Sequence, residues 1–186
     1  MTLKKNPNDR LPRGYGRGAP PPAPPGTLLY HLGLGSNLGD RRRHIEDAVS
    51  FLRRCGRVLK RSAIYETTPV GMPGAGMFYN QVLALATPLQ PLELLARCRE
   101  YEVSQGRDPE HSHYRDRAID IDILLAGDRV IATAELVVPH PRLGERGFAL
   151  VPLFEIAPKL VHPLEKVTVA RLLSRLPGGE RIRRLD

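Results

Sequence analysis

Val58–Thr67 (VLKRSAIYET) and Phe78–Ala86 (FYNQVLALA) lie between two helical patterns, and how they pair decides the fold. In the first segment Val58, Lys60, Ser62, Ile64 and Glu66 fall on one face and Leu59, Arg61, Ala63, Tyr65 and Thr67 on the other. In the second, Tyr79, Gln81, Leu83 and Leu85 alternate with Asn80, Val82, Ala84 and Ala86. A period of two marks strands, and a Gly/Pro-rich loop from Thr68 to Gly76 joins them. Upstream, Leu28–Leu34 is a strand candidate. Asp40–Arg54 carries Ile45, Ala48, Val49 and Leu52 at helical spacing, with Gly56 as its stop. Downstream, Pro91 opens a helix reaching Ser104, Gly106–Arg117 is a charged loop, and Ala118–Ala126 is a strand. The order β-α-β-β-α-β predicts an α+β, ferredoxin-like core: a mainly antiparallel sheet with helices packed on one face. The extra elements follow it, namely a short strand at Arg129–Ile131 and helical pieces at Phe148–Ile156 and Thr168–Leu176.

The 186 residues are 41% apolar and 26% charged, which suits one globular domain with a buried core. Residues 1–26 stand apart as a disordered arm. They hold seven prolines and a GYGRG stretch, a composition that buries too little apolar surface to offset its ordering entropy. The single catalytic domain is expected over residues 27–186. The net charge of +8 is shared between the two, since Lys4, Lys5, Arg10, Arg13 and Arg17 against Asp9 give the arm +4. A basic body suits anionic ligands, phosphates as well as nucleic acid. Two cysteines, Cys55 and Cys98, rule out a disulfide framework and offer no zinc spacing. With no apolar leader and no long apolar run, a cytoplasmic protein without membrane contact is expected.

The chemistry concentrates in Asp120-Ile121-Asp122. On a strand, residues i and i+2 face the same side, about 6.5–7 Å apart, whereas Ile119, Ile121 and Ile123 face the other. Two carboxylates on one face of an apolar strand need positive compensation. One reading supplies Mg²⁺, whose hard-oxygen preference and use in pairs about 3.5–4 Å apart suit phosphoryl chemistry. The other pairs the aspartates with Arg115 and Arg117. The pattern leaves both open. Arg107, Arg115 and Arg117 in the preceding loop match phosphate oxygens bidentately. Gly33–Gly39 (GLGSNLG) has the wrong spacing for a dinucleotide fingerprint and reads as a tight turn with Ser36 or Asn37 near a helix start. His140 and Arg146 form a further polar cluster. Phe78 and Asn80 share a strand face, an aromatic beside an amide that suits a flat heterocycle.

Together these segments resemble the 6-hydroxymethyl-7,8-dihydropterin pyrophosphokinase family. The resemblance rests on GSN (35–37), YETTPVG (65–71), FYN (78–80), GR (106–107), RAIDIDIL (117–124), VPH (138–140), RGF (146–148) and PLFEIAP (152–158), and spans Leu28 to about Leu164. It implies transfer of pyrophosphate from ATP to the hydroxymethyl group of a reduced pterin, with release of AMP, in folate biosynthesis. It implies that Asp120 and Asp122 hold two Mg²⁺ bridging the ATP phosphates. Phe78 and Phe148 would sandwich the pterin ring, with Asn80 on its edge and backbone groups near Thr67, Thr68 and Val70. Arg107, Arg117, His140 and Arg146 would contact phosphates, while Glu102 and Ile123 would line the nucleotide site. ATP and the pterin are then the partners of a monomer, with no nucleic acid.

The sequence departs from the family's pattern at Pro109, where relatives often carry an arginine that Arg115 would replace. It also departs at Tyr114, Glu135 and Pro141. An RNA-binding module shares the β-α-β-β-α-β order, but the aromatic RNP1 pattern is absent. A different two-metal phosphotransferase on the same scaffold is the remaining alternative.

Overall fold

The computed structural model describes residues 20–72, 74–108, 116–177 and 179–185. Most of the arm and the loop positions Pro109, Tyr114 and Arg115 lie outside the described residues. The chain runs β1 (Leu28–Ser36), α1 (Arg41–Cys55), β2 (Arg57–Arg61), β3 (Tyr65–Thr67), β4 (Phe78–Thr87), α2 (Pro91–Ser104) and β5 (Asp120–Ala126). Then come β6 (Ile131–Ala132), β7 (Val137–Val138), α3 (Gly147–Ile156), α4 (Val169–Arg175) and β8 (Ile182–Arg184). The main sheet has the order β5-β1-β4-β3-β8, with β2 also on β4, and each of its pairings is antiparallel. This is the ferredoxin-like core that the alternation predicts. It departs from expectation in four places.

First, the expected strand Val58–Thr67 is two strands. Ser62 still donates its amide to the Val82 carbonyl at 2.8 Å, but its hydroxyl takes the Val82 amide at 3.0 Å in place of a backbone carbonyl. A Ser side chain that bonds in this way competes with the ladder, and the next amide, of Ala63, donates to Glu155 Oε2 at 3.0 Å instead of to β4. Second, helices cover both sheet faces, not one. Ile45, Ala48, Val49 and Leu52 of α1 and Leu94 and Cys98 of α2 pack on Tyr30, Leu32, Leu34, Leu83 and Leu85. On the other side, Ala149, Leu150 and Leu153 of α3 and Val169 and Leu172 of α4 pack on Val82, Ala84 and Leu124. Third, β7 and β8 were not foreseen. Each is only two or three residues long, too short to show a period, and each exists because a partner strand satisfies its backbone.

Fourth, Gly56 does not end α1 through a left-handed turn, since its φ is 176°. Its reason is steric: a Cβ there would lie 2.4 Å from the Ala86 carbonyl oxygen. The opposite end fits expectation, with the Asp40 side chain accepting from the Arg43 amide at 3.1 Å.

His31 sits in β1 between Ala84 and Leu125 and is 1% exposed. Neither ring nitrogen has a hydrogen-bond partner among the described residues. Burial alone pushes its pKa down from 6.5 to about 4. The unfolded chain takes up this proton near pH 6.5 and the folded chain only near pH 4. The contribution of the neutral ring is therefore complete above 6.5 and is lost as the pH falls through that window. At about 1.4 kcal/mol per pH unit the loss reaches roughly 3 kcal/mol near pH 4. Urea unfolding from pH 7 to pH 4 should show this component in the wild type and not in His31→Leu. Parallel acid sensitivity in both would refute it.

Candidate active site

One cavity of about 340 Å³ opens on the face of the sheet that carries α3, within the range of small-molecule sites. Its floor is β1, β4 and β5. Alternation along β1 puts Gly33 and Gly35 on this face, and the missing side chains create the room. A Cβ on Gly35 would stand 3.1 Å from Asn80 Oδ1. Gly33 and Gly35 of the GLGSNLG segment are therefore a strand floor, whereas Gly39 lies beyond β1 in a turn with φ 60°.

Alternation along β5 does what the sequence implies. Ile119, Ile121 and Ile123 are buried in the core under α1 and α2, and Asp120 and Asp122 line the cavity. Both Asp120 oxygens are engaged: Arg107 Nη1 donates to Oδ1 at 2.7 Å and Arg117 Nη1 to Oδ2 at 2.9 Å. Asp122 is less well served. Its Oδ2 has Arg146 Nη1 at 3.4 Å, and its side chain keeps 38% of its surface open to the cavity. Enclosure by the protein, followed by the neighbouring Asp120 charge, pushes its pKa up to about 6, against the pull of Arg146, Arg107 and Arg117. The alternative of simple carboxylate–arginine pairing thus holds at Asp120, through Arg107 and Arg117. Asp122 carries charge that its neighbours leave under-compensated.

A hard divalent cation fits this donor set. Magnesium is commonly held by one or two carboxylates, with water and substrate phosphates completing its shell. Two carboxylates on one strand face, one of them electrostatically unsatisfied, meet that requirement. Among the described residues no cluster of three or more metal-binding side chains exists.

Phe78, Asn80 and Phe148 line the same cavity, as do Thr67, Thr68, Val70, Arg117 and Arg146. Asn80 Nδ2 donates to Thr67 Oγ1 at 2.8 Å, which fixes the amide and leaves Oδ1 as the acceptor beside Gly35. Arg146 also lies over the Phe148 ring, 5.5 Å from its centroid. His140 Nδ1 accepts from the Arg142 amide at 3.1 Å, and its Nε2 lies 3.2 Å from Arg146 Nη1. Burial, then Arg146, push its pKa down to about 4, so the ring is neutral at pH 7.

Four predicted site residues, Arg107, His140, Ile123 and Glu102, do not line this cavity; Arg107 and His140 reach it through Asp120 and Arg146. Ile123 is in the core on the opposite face of β5. Glu102 is buried beneath it, accepting from the Ile121 amide at 2.6 Å and pairing with Arg107 at 2.6 Å. Burial, then Asp120, push the Glu102 carboxyl up to about 7. With Arg107 and Arg117 it lines a second, smaller pocket of about 200 Å³. Arg115 lies outside the described residues.

Two residues have site roles that the sequence reading did not assign. Arg142 lines the cavity mouth, where a charged side chain between VPH and RGF was the available signal. Asn37 does not start α1, whose cap is Asp40. It accepts from the Arg117 amide at 2.8 Å and donates through Nδ2 to Asp116 Oδ1 at 2.5 Å, and its own amide reaches the Arg117 carbonyl at 3.2 Å. The segment leading into β5 is thereby pinned to the end of β1.

Comparison with known proteins converges on one family. The family described as 7,8-dihydro-6-hydroxymethylpterin-pyrophosphokinase (HPPK) matches residues 31–158, more than half of the chain. A 2-amino-4-hydroxy-6-hydroxymethyldihydropteridine pyrophosphokinase from Aquifex aeolicus is 44% identical over 134 residues, covering 72% of this chain and 83% of the relative. The enzyme of the same name from Bacillus subtilis is 42% identical over 130 residues, covering 69% and 77%. Among solved structures, Plasmodium falciparum HPPK-DHPS with pteroate superposes with a TM-score of 0.64 at 16% identity. It covers 80% of this chain and 44% of that one, and at such identity it speaks for the fold alone. The family match and the two bacterial relatives carry the conclusion: the chain belongs to the 7,8-dihydro-6-hydroxymethylpterin-pyrophosphokinase family.

Proposed function

We propose that the protein transfers the pyrophosphoryl group of ATP to the hydroxymethyl group of 6-hydroxymethyl-7,8-dihydropterin, releasing AMP, as a step of folate biosynthesis. The observation that carries this reading is the meeting, in one cavity, of an aromatic–amide slot with two carboxylates and their arginines. The slot suits a flat bicycle and the charged end suits a triphosphate. The catalytic unit is residues 27–186, acting as a cytoplasmic monomer, with the arm of residues 1–26 outside it.

Phe78 and Phe148 hold the pterin ring by its faces. Asn80 Oδ1, oriented by Thr67, accepts a hydrogen bond from the ring edge, and the backbone near Thr68 and Val70 closes that side. Arg107 and Arg117 exchange Asp120 for phosphate oxygens, a match that guanidinium forks make bidentately. His140 and Arg146 meet the phosphates from the α3 side. Mg²⁺ bound by Asp120 and Asp122 would neutralise phosphate charge and align the two substrates. The substrate hydroxyl forms a bond to the β-phosphorus and releases its proton to solvent, while the bridge to the α-phosphate breaks and AMP leaves with that bond's electron pair. The protein's part is positioning and charge compensation, as in other phosphoryl transfers.

Incubation with ATP, Mg²⁺ and the hydroxymethyl-dihydropterin should yield AMP and the pterin diphosphate. No AMP, or RNA binding without AMP, would contradict the reading. Asp120→Ala and Asp122→Ala should each lower kcat by about a thousandfold or more while circular dichroism stays native; near-normal turnover would remove the metal role. Phe148→Ala should raise KM for the pterin about tenfold with little effect on ATP, and equal losses for both substrates would argue against stacking. Asn37→Ala should lower kcat/KM about tenfold by freeing the chain at Arg117, a role that unchanged kinetics would dismiss.

A further inference from the structure

We propose that Glu180, near the C-terminus and beyond the family-matched residues, is a positioning residue that sets the pterin slot by holding its two walls together. The proposal rests on the pterin reading above.

The first wall is the start of α3. A helix leaves its first amides without partners, and a Ser, Thr, Asp or Asn side chain usually satisfies one of them. Here the N-cap is Arg146, whose side chain makes no capping hydrogen bond. Its guanidinium is turned instead to Asp122 and His140. The capping role passes to Glu180, whose Oε1 accepts from the Gly147 amide at 3.0 Å and whose Oε2 accepts from the Phe148 amide at 2.9 Å. One carboxylate therefore holds the backbone of the aromatic wall at its own N–H, and its charge suits the positive end of the helix. Gly147 makes this approach possible, since a Cβ there would stand 2.8 Å from Glu180 Oε2.

The second wall is the Thr67–Val70 segment. Arg181, the next residue, donates its amide to Thr68 Oγ1 at 3.3 Å and accepts from the Thr68 amide at 3.2 Å. β8 then continues along β3, with Ile182 opposite Thr67. Two consecutive residues thus grip two parts of one slot. Glu180 fixes the wall bearing Phe148, and Arg181 fixes the one bearing Thr67 and Thr68. Without the carboxylate, the Phe148 backbone loses its tie to the segment that also registers Thr68.

The test is steady-state kinetics on the full chain with both substrates, alongside calorimetric pterin binding and thermal melting, for wild type, Glu180→Gln and Glu180→Ala. Gln keeps one acceptor oxygen and Ala none. The expected result is a graded rise in pterin KM and Kd, reaching about tenfold in the Ala variant. KM for ATP should stay within about twofold and kcat should fall less than the pterin KM rises. Lower melting temperature with unchanged pterin KM and Kd, or an equal rise in both KM values, would overturn the proposal and leave Glu180 a plain helix cap. Wild-type protein that forms no AMP would instead overturn the functional reading on which it rests.

Discussion

Placing Asp120 and Asp122 on one face of an otherwise apolar strand is the constraint that the rest of the structure serves. Neighbouring carboxylates taken out of bulk water repel one another, and that cost must be met by cations close at hand. Arg107 and Arg117 meet it at Asp120 and Arg146 meets part of it at Asp122. Each arginine has its own anchor. Arg107 leans on buried Glu102, Arg117 is tied through its backbone to Asn37, and Arg146 sits at the start of α3. The arrangement is a balanced set of charges that still favours a further positive charge at Asp122. On the proposed reading, a phosphate substrate carrying magnesium would supply anions to the arginines and cations to the carboxylates at once.

The fold makes this possible by leaving one part of one sheet face uncovered. α1 and α2 bury the other face completely. α3 and α4 cover the remainder but stop short of Gly33 and Gly35, where β1 offers no side chains. The aspartates of the charged end stand on β5 and the Phe78–Asn80 pair of the aromatic end on β4, while Arg146 and Phe148 at the start of α3 contribute to both ends. Coupling a triphosphate to a bicycle is then a matter of which strands are adjacent: β1 lies between β4, which carries Phe78 and Asn80, and β5, which carries the aspartates.

Much of this was legible in the sequence because the periodic signals were strong. The alternation Ile119-Asp120-Ile121-Asp122-Ile123 assigned both faces of β5, and Phe78 with Asn80 assigned one face of β4. The helix faces of α1 followed from Ile45, Ala48, Val49 and Leu52. What stayed hidden depends on tertiary context. The break after Ser62 comes from its hydroxyl capturing the Val82 amide and from the Ala63 amide turning to Glu155. The strand at Ile182–Arg184 exists only because β3 satisfies its backbone, and nothing in Ile-Arg-Arg announces it. The α3 segment, GFALVPLFEI, is apolar on nearly every side, so its pattern did not reveal that it roofs the second face. Glu102 and Ile123, which the resemblance puts in the nucleotide site, have buried side chains, and Glu102 lines a smaller neighbouring pocket with Arg107 and Arg117. Asn37 looked like a helix start because Ser and Asn favour that position, but Asp40 takes it and frees Asn37 to hold Arg117.

The central claim is that Asp120 and Asp122 exchange arginine partners for metal when the triphosphate arrives. A crystal structure with a non-hydrolysable ATP analogue, Mg²⁺ and the hydroxymethyl-dihydropterin tests this most directly. The account predicts metal density against both carboxylates, Arg107 and Arg117 turned to phosphate oxygens, and the pterin between Phe78 and Phe148. Nucleotide bound elsewhere, with Asp120 still paired to Arg107 and Arg117 and no metal at Asp122, would contradict it.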